Sequence, residues 1–175
     1  MENNFIGISE NRLKHSLAVA KECYYLSINI FQKSDFYGKQ MFVMGFNHDI
    51  GYEYTESSQK NKHNNIGALM LEITFNLTKE KENKFINAIK YHGNPETPEE
   101  YRTLEWIILN LADLTVNSKG EKVSVLKRFQ DIKERFGSDS KSYLDATKTY
   151  ELVCDTINKN YKEFQKEINK FVKGE

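Results

Sequence analysis

The sequence predicts an all-α protein. Apolar residues recur at intervals of three or four along most of the 175 residues, which is the period of a helix with one buried face. No stretch alternates polar and apolar residues long enough to predict a sheet, and Pro95 and Pro98 lie in one short connection. These three observations predict a bundle of about seven helices.

The first two helices have clear local signals. Ser9 is suited to cap the first helix, whose apolar residues then follow with helical spacing. A strongly apolar second helix is predicted at about 39–49, with Gly51 as its C-terminal stop. The polar stretch 52–62 predicts a loop.

The third and fourth helices are predicted to begin at His63 and near Thr78. The fourth ends at Gly93, a residue suited to a helix C-terminus. The third presents an apolar face, and we expect that face to be buried. Its members are Ile66, Leu69, Met70 and Ile73.

The fifth helix has the clearest start signal in the chain. Thr97 takes the N-cap position, Pro98 falls in the first turn, and Glu100 completes a capping box. This pattern predicts a helix that runs to about Asn117, before a turn at Gly120.

Two further helices complete the chain. The sixth presents an apolar face formed by Val123, Leu126, Phe129, Ile132 and Phe136. The last is predicted as one long helix at about 140–172, with apolar residues at near-heptad spacing. Such a stripe either packs on the core or forms a dimer seam. We therefore predict one domain over 1–175, with a core at about 9–136.

Composition excludes several classes of protein. Lys+Arg and Asp+Glu balance at 25 each, so net charge does not favour a nucleic-acid polymer or an anionic membrane as partner. No apolar stretch approaches the roughly 18 residues that span a bilayer, and no signal peptide is visible. Cys23 and Cys154 form no CxxC motif and are expected to be reduced thiols. We expect a cytoplasmic monomer or homodimer.

All four histidines of the chain, with two aspartates, form a series with the chemistry of metal ligands. Imidazoles and carboxylates are the natural ligands of zinc, iron, cobalt, nickel and manganese. Asp113 shares a helix face with apolar residues, so its carboxylate is expected in the core, where it needs a cation or hydrogen-bond donors. The series, which predicts a site for two divalent metal ions, is His15, His48-Asp49, His63, His92 and Asp113.

Each ligand also has an ordinary interpretation. A histidine on an apolar helix face is commonly a hydrogen-bonded core residue, and Asp113 could pair with an arginine. His63 falls at a loop-to-helix junction, where it could simply be exposed. The joint pattern favours metal, because several helices each deliver a polar ligand to the interior of a bundle.

Three motifs resemble those of the HD-domain metal-dependent phosphohydrolases. They are Arg12-Leu13-Lys14-His15-Ser16, His48-Asp49-Ile50-Gly51 and Leu111-Ala112-Asp113, and the resemblance covers about 9–136. The resemblance implies an HD-domain helical bundle. It implies that one metal ion is held by His15, His48, Asp49 and Asp113, and a second by His63 and His92, with Asp49 bridging. Members of this binuclear kind include hydrolases of nucleotides and dinucleoside polyphosphates.

The ligand set implies a reaction. Two neighbouring cations lower the pKa of a shared water and bind phosphoryl oxygens, so attack of hydroxide on a phosphate ester or anhydride is expected. Asp49 is the candidate catalytic residue, because a bridging carboxylate sets the separation of the ions. Lys119, Arg12 and Arg128 are candidates for binding a small phosphorylated substrate.

Two departures from the family pattern leave alternatives open. Tyr52 stands where many members have a lysine, and the interval from Asp49 to His63 is short, so it is open whether His63 reaches a second ion. One alternative is a di-iron oxygenase on the same scaffold. Another is a module that binds metal and nucleotide without catalysis.

Overall fold

The protein is a helical bundle. The computed structural model describes residues 9–54, 62–74 and 83–175, and regular structure within these ranges is helical. The predicted all-α class is confirmed. The eight α-helices of the described ranges are α1 Glu10–Tyr25, α2 Asp35–Asn47, α3 His63–Thr74, α4 Lys84–Tyr91, α5 Leu104–Asp113, α6 Val125–Phe136, α7 Lys141–Asn160 and α8 Gln165–Lys173.

Short turns of other helix types connect these elements. A π-helical turn continues α1, and 3₁₀ turns follow α2, precede α5 and separate α7 from α8. Within the described ranges, no helix is both long and apolar enough to cross a membrane. The turns span Leu26–Ile30, Ile50–Tyr54, Glu99–Tyr101 and Lys162–Phe164.

Helix α5 lies at the centre of the bundle. Every residue from Leu104 to Ala112 is buried, as expected for a helix with apolar residues on most of its sides. Helices α1, α2, α4 and α7 all contact it. Because Asp113 is the last residue of α5, the central helix delivers a carboxylate from the core.

Helices α1 and α2 pack against each other in antiparallel order. A Cβ at Gly45 would lie 2.8 Å from Cys23 Sγ and 3.0 Å from Ala20 Cα, so only glycine permits this approach. The close packing brings the end of α2 beside the middle of α1. It therefore places His48, the residue after α2, near His15.

The observed start of α2 differs from the prediction. It begins at Asp35 rather than near Lys39, because Ser34 caps it by accepting a hydrogen bond from the Tyr37 amide. The predicted cap at Ser9 is confirmed, since its hydroxyl accepts from the Arg12 amide. The predicted start of the fourth helix near Thr78 and most of the predicted loop 52–62 lie outside the described residues.

The prediction for α5 was wrong at both ends. Thr97 does not cap a helix, because its buried hydroxyl donates to the carbonyl oxygens of Tyr91 and Asn94. Thr103 caps α5 instead, accepting from the Trp106 amide. The helix ends at Asp113 rather than Asn117.

The chain leaves α5 because new hydrogen bonds replace the helical ones. The Thr115 hydroxyl donates to the carbonyl oxygens of Leu111 and Ala112. Val116 then pairs with Lys122 in an isolated antiparallel bridge, across the turn that contains Gly120.

The predicted long helix at 140–172 is two helices. Tyr161 leaves the helical conformation with φ −142°, and α8 begins four residues later. The rings of Tyr161 and Phe164 pack edge-on against Phe31, at centroid distances of 5.9 and 5.3 Å. The apolar stripe is buried in the chain's own core at Val153, Ile157, Ile168 and Phe171.

The predicted apolar face of α3 was also wrong. Leu69 and Ile73 are 53% and 67% exposed, whereas Gly67, Ala68 and Leu71 are buried. The face of α3 that carries the small residues Gly67 and Ala68 is the buried one, because the backbone of α3 contacts the backbone of the turn Ile50–Tyr54. On α6, likewise, Leu126 is 79% exposed whereas Ile132 is buried.

Candidate metal centre

Five helix ends or faces bring the predicted ligands together. His15 lies within α1, and Asp113 is the last residue of α5. His48 and Asp49 follow α2 directly, His63 is the first residue of α3, and His92 follows α4. Residues almost a hundred positions apart in the chain therefore meet in one cluster.

One part of the cluster surrounds the Asp113 carboxylate. His15 Nε2 lies 3.0 Å from Asp113 Oδ1, and His48 Nε2 lies 3.9 Å from the same oxygen. The rings of His15 and His48 are 5.4 Å apart between centroids. These three side chains can hold one ion together, because their ligand atoms lie within 4.8 Å of one another.

The other part surrounds the Asp49 carboxylate. The Nε2 atoms of His48, His63 and His92 lie 3.5, 3.6 and 3.6 Å from Asp49 Oδ1. Despite the short interval in sequence, His63 does reach this carboxylate. His48, Asp49 and His92 form a second group whose ligand atoms lie within 4.8 Å of one another.

Backbone carbonyls orient three of the imidazoles. Because a carbonyl oxygen only accepts hydrogen bonds, each Nδ1 beside one must carry the proton, which leaves Nε2 as the atom that faces the cluster. A second contact of this kind is the usual way a protein orients a histidine that binds metal. The distances are His15 Nδ1 to Asn117 O, 3.0 Å; His48 Nδ1 to Gly45 O, 2.7 Å; and His92 Nδ1 to Ile89 O, 2.6 Å.

The cluster fits a divalent cation. His48 Nε2 is buried and has no hydrogen-bond partner, which is costly unless it binds something. Several distances between imidazole Nε2 atoms and carboxylate oxygens in the cluster are 3.6 Å or more, which is too long for a hydrogen bond. Ligand atoms at about 2.0–2.2 Å from one tetrahedral ion lie roughly 3.3–3.6 Å from each other, which is close to the observed spacing.

Both carboxylates remain ionised, although Asp49 is buried and Asp113 is half-buried. Burial alone would raise the pKa of Asp49, but His48, His92 and Arg12 together hold that pKa well below its ordinary value. Burial would likewise raise the pKa of Asp113, but His15, His48 and Arg128 together outweigh it, so this pKa is also lowered. Burial lowers the pKa of His48, which keeps its imidazole neutral and able to bind metal.

Two of the three predicted phosphate-binding residues lie at the cluster. Arg12 Nη1 donates to Asp49 Oδ2. Arg128 Nη2 lies 4.0 Å from Asp113 Oδ1, while its Nη1 donates to Asp131 Oδ2 at 3.0 Å. Lys119 is exposed on the turn after α5, and no ion pair of the described residues joins it to the cluster.

Two asparagines that the sequence interpretation missed hold the peptide bond after His92. The Asn64 side-chain amide donates to the His92 carbonyl at 2.5 Å, and the Gly93 amide donates to Asn110 Oδ1 at 2.8 Å. Gly93 adopts φ +63°, which favours glycine. Asn110 could have been noticed, because it is a polar residue within the apolar run from Trp106 to Ala112.

Gly51 has a different role from the predicted helix stop. A Cβ at Gly51 would lie 1.9 Å from the His63 carbonyl oxygen, so a side chain here would collide with the first turn of α3. Gly51 therefore lets the backbone after Asp49 touch the backbone of α3. This contact brings His63 toward Asp49.

Comparison with known families agrees with this geometry. The chain matches the HD domain model over residues 12–118 and belongs to the HD-domain family. Members of this family bind divalent metals and are mostly metal-dependent phosphohydrolases. No curated protein and no solved structure matches the chain.

Proposed function

We propose that this protein is a phosphohydrolase that uses two divalent transition-metal ions to cleave a phosphate ester or anhydride of a small molecule, a nucleotide or dinucleoside polyphosphate. One observation carries the proposal. Three imidazole Nε2 atoms from different helices lie within 3.6 Å of Asp49 Oδ1. A carboxylate surrounded in this way is suited to bridge two cations.

The ligands divide between the two ions as the distances suggest. His15, His48 and Asp113 would hold one ion, and His63 and His92 the other, with Asp49 shared. Bound iron, manganese, cobalt, nickel or zinc supplies Lewis acidity and lowers the pKa of bound water. The role of Asp49 would be to supply one carboxylate that both sets of histidine ligands share.

Two guanidinium groups beside the ligands would bind the phosphate. Arg12 and Arg128 each lie next to a ligand carboxylate, and guanidinium groups bind phosphoryl oxygens through paired hydrogen bonds. Arg128 Nε is buried without a hydrogen-bond partner, so this residue has donor capacity left. Asp131 orients the Arg128 side chain. Lys119, being exposed on its turn, remains a weaker candidate.

A di-iron oxygenase is the second candidate. Tyr52 favours it, because an aromatic ring packed on His63 occupies the position at which many relatives have a lysine suited to phosphate. The histidine and aspartate ligands themselves suit both phosphate hydrolysis and di-iron oxygenation.

The first experiment is elemental analysis of protein purified without chelators, followed by phosphate release from a panel of nucleotides and dinucleoside polyphosphates. Each candidate metal is supplied in turn. His48→Gln is the matched variant, because it removes the ligand shared by both three-residue groups. We expect about two metal ions per chain and turnover in the wild type, with both reduced in the variant.

Other results would overturn the hydrolase. Two irons with oxygen consumption and no phosphate release would support the oxygenase. Tight nucleotide binding without turnover, at full metal content, would support a binding module. A chain that takes up none of the supplied metals would remove the basis of the proposal.

A further inference from the structure

Three side chains form a stack beside the ligand cluster. The Tyr52 ring lies on the His63 imidazole, with centroids 3.7 Å apart and planes inclined by 17°. The Arg12 guanidinium carbon lies 3.8 Å from the centre of the Tyr52 ring. Since both neighbours contact the ring at van der Waals distance, they must lie on opposite faces. Tyr52 is therefore the middle layer.

Both outer layers of the stack contact the same carboxylate. Arg12 Nη1 donates to Asp49 Oδ2, and His63 Nε2 lies 3.6 Å from Asp49 Oδ1. The thickness of the Tyr52 ring thus separates a guanidinium group from an imidazole at the two oxygens of Asp49. A side chain without a flat ring could not keep both groups at this spacing.

The backbone holds Tyr52 in this place. Its amide donates to the Asp49 carbonyl oxygen at 3.1 Å, which ties the ring to the ligand three residues earlier. The preceding residue, Gly51, lies against the His63 backbone, and Gly67 faces it from the next turn of α3. Tyr52 and His63 are consequently positioned by the same backbone contact.

We propose that Tyr52 is a positioning residue that holds the His63 imidazole for the second metal ion while keeping the Arg12 guanidinium at the outer edge of Asp49. This inference rests on the proposed two-metal centre. It assigns the positioning to the aromatic ring, because the ring contacts both His63 and Arg12. An aromatic side chain at this position, in place of a charged one, thereby determines how tightly the second ion is bound.

The test is calorimetric titration of the metal-free full chain with Mn²⁺. Tyr52→Leu removes the ring, and Tyr52→Phe is the matched control that keeps the ring and removes the hydroxyl. We expect two bound ions in the wild type and in Tyr52→Phe. In Tyr52→Leu we expect the second ion to bind at least about 10-fold more weakly, with the first unchanged.

A double-mutant cycle separates this role from general stability. In a His63→Ala background, Tyr52→Leu should weaken Mn²⁺ binding much less than it does in the wild type, because the ligand that the ring positions is gone and only the contact with Arg12 remains. Circular dichroism checks that each variant keeps its helices. If Tyr52→Leu unfolds, Tyr52→Met, with a side chain of closer volume, replaces it.

The possible failures are distinguishable. Two ions bound with equal affinity by the wild type and by a folded Tyr52→Leu would overturn the role of Tyr52 alone. A wild-type chain that binds fewer than two Mn²⁺ ions would overturn both this inference and the two-metal centre. Equal weakening in Tyr52→Phe and Tyr52→Leu would show that the hydroxyl, not the ring, matters.

Discussion

The two halves of the ligand cluster are held in different ways. His15 and Asp113 belong to helices whose buried apolar faces pack tightly, with Val19, Ala20 and Cys23 fully buried on α1. His63 and His92 lie at the ends of α3 and α4, where side-chain contacts position them. Helix packing holds one half, and polar and aromatic contacts hold the other.

The difference has a consequence for metal binding. A ligand on a packed helix is fixed by many small contacts, so no single neighbour decides its position. His92 depends on Asn64 and Asn110, which bind the peptide bond after it, and His63 depends on the Tyr52 ring. We therefore expect the ion at Asp113 to bind more tightly than the ion at His63 and His92.

The largest expected effect is that of Asp49→Ala, because this carboxylate belongs to both halves. Metal content should fall below one ion per chain, and kcat/KM should fall at least about 1,000-fold, or about 4 kcal/mol. Elemental analysis after dialysis and steady-state kinetics measure the two effects. Asp145→Ala, which removes a carboxylate paired with Lys141 on α7, is the matched control and should change neither. Normal metal content in Asp49→Ala would refute the bridging role.

His15→Ala and His92→Ala test the two halves against each other. His92→Ala should leave one tightly bound ion, because His15, His48 and Asp113 remain in place. His15→Ala should remove the tighter ion and leave only weak binding. Native mass spectrometry of each variant, at increasing Mn²⁺ concentration, counts the ions. Identical titrations for the two variants would contradict the division into unequal halves.

Asn110→Ala should weaken only the second ion. It removes the acceptor of the Gly93 amide within the core, so the peptide after His92 loses one of its two contacts. We expect about 10–100-fold weaker binding of that ion and about 1–3 kcal/mol lower stability to urea. Asn169→Ala, at an exposed position on α8, is the control. Unchanged affinity in a folded Asn110→Ala protein would show that the packed helices alone place His92.

The smallest expected effect lies outside the cluster. Ser140 caps α7, accepting from the Tyr143 amide at 3.2 Å and donating to the Gly137 carbonyl oxygen at 2.8 Å. Ser140→Ala should lower the free energy of unfolding by about 1 kcal/mol without changing metal content. Urea denaturation followed by circular dichroism measures it. Altered metal affinity would mean that α7 is coupled to the ligand cluster.

Local signals predicted much of the fold. Ser9 and Ser140 begin helices as expected, because a hydroxyl that accepts from an amide three residues on is a local interaction. His63 begins α3 as expected, and Gly93 follows α4 with positive φ. The sequence also predicted which histidines and aspartates could bind metal, because these polar residues lie on helices that are otherwise largely apolar. These features depend on neighbours within a few positions of the chain.

Contacts that the helical periodicity does not contain decided the rest. Thr97 lies in a sequence pattern typical of an N-cap, yet its hydroxyl donates a hydrogen bond to the Tyr91 carbonyl oxygen. Thr103 is the N-cap of α5 instead. Tyr161 lies within a continuous helical pattern, yet the helix breaks where its ring packs on Phe31. At Thr97 the competing acceptors lie three and six residues earlier in the chain, and at Tyr161 the partner ring is Phe31, far away in the chain; each of these contacts replaced the predicted one.

The chain's own pattern thus determined the all-α class and which residues could bind metal. Only the tertiary structure decided how those residues divide around two carboxylates and what holds them. The stack of Arg12, Tyr52 and His63 joins segments that are 40 and 11 positions apart in the chain. The helical spacing of apolar residues cannot predict this stack, because the stack depends on the approach of the Gly51 backbone to α3.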